Sequence, residues 1–262
     1  MKQSIKLILI GGVLIGSSNA NAQSGPGANY YMTAGDQKQN WTAIGGTATS
    51  GVQATGGEYN IAVSGDLRTT GNFNYNFGQQ YDLLMNSTGT TYAGSWEGLY
   101  DGTTDGSRNY TIDYGTGDVL SYNRNWQNSS LLFNAGAGQG LYLGITYDGA
   151  GGLWISRWNS DVVEHRSMTG SLLSSFNTGF SSITSLAMDW SDGTLWMGTQ
   201  NTLGTFSQFS TTGTNLQNVT YSNMTSANTL GGEFNFNPVP EPASFAVLGL
   251  GALVLLRRRK SA

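Results

Sequence analysis

Gly144-Ile145-Thr146-Tyr147-Asp148, a glycine-rich turn and then Leu153-Trp154-Ile155-Ser156 form the stretch that decides the fold, because it returns. Ser185-Leu186-Ala187-Met188-Asp189, a turn ending in Asp192-Gly193, and Leu195-Trp196-Met197-Gly198 repeat it. Trp154 and Trp196 stand 42 residues apart. Leu131-Leu132-Phe133-Asn134 and Leu172-Leu173-Ser174-Ser175-Phe176-Asn177 keep the same phase. A fainter copy begins at Gly98-Leu99-Tyr100-Asp101. Gly231-Gly232-Glu233-Phe234-Asn235-Phe236 echoes Gly56-Gly57-Glu58-Tyr59-Asn60-Ile61.

A period of about 40–45 residues carrying several short strands is the mark of a propeller blade. One small sheet cannot bury both its faces, and blades stacked about an axis bury them for each other. Strand starts near 57, 98, 144, 185 and 231 delimit four whole units. The segment from Tyr30 to Ile44 and the final Gly231–Phe236 strand together supply a fifth. The expected fold is therefore an all-β propeller of about five blades, closed by its two chain ends. A β-sandwich or a right-handed β-helix is the alternative, although β-helix rungs are shorter than this period. The Leu-Trp-Ile and Leu-Trp-Met strands resemble those of propellers with six or seven blades, whereas this ring is smaller.

Around the repeat, Tyr30-Tyr31-Met32-Thr33, Trp41-Thr42-Ala43-Ile44 and Gly57–Ser64 read as strands, with Gly65-Asp66 a turn. Thr47 to Gly57 is polar and glycine-rich and reads as a loop. Tyr81–Met85 and Thr90–Trp96 flank Asn86-Ser87-Thr88-Gly89, which reads as a hairpin turn.

The chain has no cysteine, so it holds no disulfide, thiolate nucleophile or Cys-based metal site. A single histidine, His165, excludes a multi-His site, and no cofactor is expected. Leaving out the two terminal segments described next, six Lys and Arg face fifteen Asp and Glu, a net charge near −9. Nucleic acid asks for a basic face and is not an expected partner.

The C-terminus runs Val239-Pro240-Glu241-Pro242, an uncharged stretch from Ala243 to Leu256, and Arg257-Arg258-Arg259-Lys260. Fourteen helical residues reach about 21 Å against a hydrocarbon core of about 30 Å, so spanning needs flanking residues and snorkelling arginines. Four cations in a row belong on the cytoplasmic side, which puts the body outside. At the other end, Lys2 and Lys6 precede an apolar run from Leu7 to Gly16. Ala20-Asn21-Ala22 then offers a small-residue cleavage site before Gln23. The expected division is a signal peptide over 1–22, a repetitive β body over 23–237, and a tail over 238–262 with a short transmembrane helix and basic stop.

The tail resembles the PEP-CTERM sorting signal of exported bacterial surface proteins. The resemblance implies an exosortase-type membrane protease as partner, processing near Pro240-Glu241-Pro242, and a host that makes exopolysaccharide.

Within the body, Asp101-Gly102-Thr103-Thr104-Asp105-Gly106 partly matches a calcium loop, but its twelfth position is Ile112 rather than Glu. Asp101 and Asp105 are thus a weak metal candidate, and Asp-Gly pairs in the phase of Asp148-Gly149 and Asp192-Gly193 read better as hairpin turns. His165 lies among polar alternation as a solvent-facing strand residue, with no nucleophile elbow nearby. Glu58 and Glu233 sit in matched motifs and predict a shared structural task. Trp154 and Trp196 read as core. Trp126, Trp158 and Trp190 neighbour polar loop residues and are the candidates for stacking on sugar rings. These features predict a non-enzymatic, exported surface or matrix protein. The alternative is a secreted carbohydrate-active enzyme or lectin acting on exopolysaccharide.

Overall fold

The computed structural model describes residues 25–71, 77–93, 99–136 and 141–236. The first blade contains β1 (Tyr30–Ala34), β2 (Gln39–Ile44) and β3 (Thr47–Val52). The second is β4 (Glu58–Val63), β5 (Leu67–Gly71), β6 (Gly78–Tyr81) and β7 (Ser87–Tyr92). The third is β8 (Leu99–Thr104), β9 (Arg108–Asp113), β10 (Asp118–Asn123) and β11 (Ser130–Asn134). The fourth is β12 (Tyr142–Tyr147), β13 (Gly152–Arg157), β14 (Val162–Ser167) and β15 (Leu172–Asn177). The fifth is β16 (Ile183–Asp189), β17 (Thr194–Thr199), β18 (Thr205–Phe209) and β19 (Asn215–Thr220). The last strand, β20 (Gly231–Phe234), returns to the first blade, giving the order β20-β1-β2-β3.

Each of the five sheets is antiparallel and four-stranded, and β4, β8, β12, β16 and β20 are the innermost strands. Each of these packs beside the next, and β20 packs beside both β16 and β4, so the ring is closed. An inner strand has a blade on either side, which is why β16, Ile-Thr-Ser-Leu-Ala-Met-Asp, is buried at every position. The outermost β15 has water along its free edge and is mostly exposed. The periodic tryptophans sit where the repeat places them, on the second strands β13 and β17 of neighbouring blades. Trp154 packs with Val163, Leu186 and Met197. Trp196 packs with Tyr30, Phe206 and Tyr221.

Closure follows the predicted route. β1 pairs with β20 in the register Tyr30↔Phe234, Tyr31↔Glu233, Met32↔Gly232 and Thr33↔Gly231. The Tyr30 and Phe234 rings stack at 4.9 Å and 13°. Glycine is required along this strand. A Cβ on Gly232 would lie 2.4 Å from the Tyr30 hydroxyl, and one on Gly231 would lie 2.3 Å from the Tyr59 carbonyl. Gln53 then locks the first blade to the second. Its side-chain amide accepts the Glu58 N–H at 3.0 Å and donates to the Glu58 carbonyl at 2.8 Å, as a strand backbone would.

Three expectations are corrected here. Thr47–Val52 is a strand, β3, because it is the outermost strand of its blade, where polar residues face water. The β6–β7 hairpin turns at Asp82–Asn86, where the Asp82 carboxylate caps the N–H groups of Leu84 and Asn86, so Ser87 to Gly89 belongs to β7. Asp101-Gly102 is no turn but the middle of β8; the turn falls at Asp105-Gly106, with Gly106 at φ +87°. Among the described residues no helix is long and apolar enough to cross a membrane. The signal segment, the apolar 243–256 run and the basic stop lie outside the described residues.

Candidate ligand-binding site

The innermost strands turn their unpaired edges toward the axis, and those backbone groups need partners. Asp101 meets them. One carboxylate oxygen accepts the N–H of Gly102 at 2.9 Å and of Gly232 at 2.9 Å. The other accepts Ile145 N–H at 3.0 Å and Leu186 N–H at 2.9 Å. One side chain thereby ties the inner strands of four blades together. One layer along, Thr103 accepts Tyr147 N–H and Thr146 accepts Met188 N–H, both at 3.0 Å. The Thr146 hydroxyl also donates to Glu233 at 3.3 Å, and Phe234 N–H donates to Glu233 at 3.0 Å. Asp101 and Glu233 are wholly buried. Burial pushes both carboxyls well above the ordinary range, four N–H donors oppose it at Asp101, and the neighbouring Asp101 charge adds to it at Glu233.

This geometry overturns the matched roles expected of Glu58 and Glu233. Glu233 comes level with Thr103 and Thr146 on the axis. Glu58 instead lies at the start of β4 and is buried within its own blade. It accepts from the hydroxyls of Tyr81 at 2.7 Å, Thr69 at 2.6 Å and Thr55 at 2.9 Å. The sequence echo was out of register with the strands.

The axis is filled by side chains, and a cavity of about 290 Å³ opens at the end where the inner strands begin. Its floor is Tyr59, Tyr100 and Leu143, each the second residue of an inner strand, with Leu230 just before β20. Its walls come from connections between second and third strands of four blades: Asp36, Tyr114, Trp158 and Gln200. Asn228 completes the rim. Tyr59 meets Tyr100 edge-on at 5.9 Å and 79°, and Tyr100 meets Tyr114 at 5.5 Å and 72°. The Asp36 carboxylate accepts the Tyr59 hydroxyl and, at 3.3 Å, the Asn228 side-chain amide. Trp158 and the three tyrosines are half-buried, while Asp36 is exposed.

Of the tryptophans singled out by sequence, Trp158 alone lines this pocket. Trp126 is buried, its indole N–H donating to the Arg68 carbonyl at 2.9 Å, so it offers no face to a ligand. Trp190 is half-buried at the opposite end of the inner strands, against Phe236 at 5.0 Å. Asp101 and Asp105 do not face a common point. Asp105 closes its own turn, accepting Arg108 N–H at 2.7 Å and the Tyr110 hydroxyl at 2.6 Å. Among the described residues no cluster of three acids or histidine is placed to hold a metal ion. His165 is not simply solvent-facing: it stacks on Trp154 at 4.2 Å and 9°, with Nε2 2.7 Å from the Asp148 carboxylate. Sequence reasoning passed over Tyr59, Tyr100, Tyr114 and Asp36. Tyr59 and Tyr100 did carry a signal, since they occupy the same phase of successive repeats.

The family model for the PEP-CTERM protein-sorting motif matches residues 238–260. The chain carries a PEP-CTERM sorting motif. The PEP-CTERM motif marks an exported protein whose sorting to the membrane runs through exosortase. It begins just past Phe236, whose N–H donates to the Val63 carbonyl at 2.8 Å, so sorting signal and ring closure are adjacent in the chain. No curated protein matches the sequence. Among solved structures, a chain of a nidogen/laminin complex is 11% identical with a TM-score of 0.56, over 79% of this chain and 98% of that one. The glutaminyl cyclase of Myxococcus xanthus is 13% identical with a TM-score of 0.47, over 74% and 75%. An inactive virginiamycin B lyase of Staphylococcus aureus is 11% identical with a TM-score of 0.47, over 78% and 72%. At such identities the likeness is one of fold.

Proposed function

We propose that the body is a non-enzymatic, sugar-binding propeller, delivered by its PEP-CTERM tail to the cell surface or extracellular matrix. Its partner there is exopolysaccharide. The observation that carries this reading is the half-buried aromatic group Tyr59, Tyr100, Tyr114 and Trp158 around one pocket. Ring faces cover the C–H faces of a pyranose, while Asp36, Gln200 and Asn228 supply acceptors and donors for hydroxyls. A volume of about 290 Å³ suits one or two sugar rings at a chain end rather than a long groove.

Binding without turnover is favoured over a carbohydrate-active enzyme by the lining. Among the described residues of the lining Asp36 is the single carboxylate, and glycoside hydrolysis uses two about 5–9.5 Å apart. Titration of the purified protein with host exopolysaccharide, alongside an assay for new reducing ends, tests the reading. The expected result is saturable binding, weakened by Trp158→Ala, with no reducing ends formed. Release of reducing ends transfers the protein to the enzyme class, and loss of binding in no pocket variant removes the site.

A further inference from the structure

We infer that this pocket selects an amino sugar bearing a free ammonium group over its acetylated or neutral counterparts; the inference rests on the sugar-binding reading. Among the described residues Asp36 is the one charged side chain in the lining. Its oxygens accept the Tyr59 hydroxyl and a long 3.3 Å contact from Asn228, which leaves lone pairs for an ammonium donor. The rings around it are electron-rich faces, and cations are drawn to such faces. They turn by 79° and 72° from one to the next, so they wall the space on several sides instead of forming one flat platform. A flat platform suits the C–H face of any sugar. A box with a carboxylate on its rim distinguishes a cation.

The basic side chains nearby lie outside the lining. Arg157 lies over the Tyr142 ring and pairs with Glu164 at 3.3 Å. Lys38 lays its aliphatic stem against Gly56, outside the lining. The body carries six cationic side chains against fifteen acids, so a cationic polymer is attracted before it docks. N-acetylation would remove the charge and add bulk to a ligand entering a cavity of about 290 Å³.

The test uses the full-length protein in detergent and three β-1,4-linked trimers: glucosamine, N-acetylglucosamine and glucose. The glucosamine trimer is expected to bind about tenfold more tightly than the other two. Asp36→Asn keeps the shape of the rim and is expected to bring the three within about threefold of one another, with an unchanged thermal melt. Asp192→Asn, an exposed acid remote from the pocket, should leave the preference intact. Equal binding of all three trimers, or a preference that survives Asp36→Asn, overturns the charge selection and leaves the sugar-binding reading standing. If none of the trimers binds, that reading fails as well.

Discussion

The Asp101 carboxylate accepts the Gly232 N–H at 2.9 Å, joining β8 to the last strand across 131 positions of sequence. All four acceptor directions of this side chain are used by N–H groups. Asp101→Asn turns two of those directions into donors that face donors. We expect a loss of about 3 kcal/mol, since buried N–H groups lose an acceptor and face a donor instead. Chemical denaturation checks this. A variant as stable as the parent would show that the inner edges find other partners.

Glu233 gives a pH dependence with a definite sign. Its folded-state value is raised above the ordinary 4.5 by burial and by the Asp101 charge. A carboxyl raised in this way contributes its stability at acid pH and loses it as pH climbs toward the folded value. Glu233→Gln cannot ionise. Melts at pH 4 and pH 8 should therefore show the variant gaining on the parent as pH rises. A gain that is constant with pH, or that shrinks, contradicts the assignment.

Trp154 and Trp196 should behave as equivalents. Each is almost fully buried between blades, and truncation to Ala should cost about 3–5 kcal/mol. The Trp196 indole N–H finds no hydrogen-bond partner among the described residues, so Trp196→Phe should cost clearly less than Trp196→Ala. Denaturant midpoints of the three variants decide it.

Ring closure can be separated from sorting. Removing residues 238–262 should leave a cooperative melt, because β20 ends at Phe234. Removing residues 231–262 exposes the β1 edge and the Tyr30 ring, and should lower the melting temperature and promote aggregation. Identical melts would mean that β20 contributes nothing to closure.

Processing by exosortase predicts a shortened product. Mass spectrometry of protein from its host should find chains ending between Pro240 and Pro242. Recovery only of chains ending at Ala262 rules processing out.

The strand periods, the five starts and the closing pair were legible because they rest on local alternation and on recurring Leu-Trp pairs. What escaped depends on neighbours distant in sequence. Asp101 looks like a turn residue until Ile145, Leu186 and Gly232 are brought round it by the ring. Trp126 has polar neighbours in sequence, yet it sits at φ +55° in a turn that folds its indole under Arg68. Glu58 and Glu233 share a sequence context, but Glu58 opens β4 whereas Glu233 is the third residue of β20, so the echo falls at different depths along the two inner strands. The pocket aromatics come from β4, β8 and two separate connections, and no single stretch contains them.

The Tyr30–Phe234 pairing also sets an order of events during synthesis. β1, β2 and β3 leave the ribosome first, yet their sheet lacks its inner strand until β20 emerges. Four blades can assemble in sequence while the first waits with an open edge, and the longest-range contact forms last. The PEP-CTERM motif follows within a few residues of that final strand. The maturation machinery therefore meets its recognition signal only once the chain holds everything needed to finish folding, so a body interrupted before its last strand never presents the signal at all.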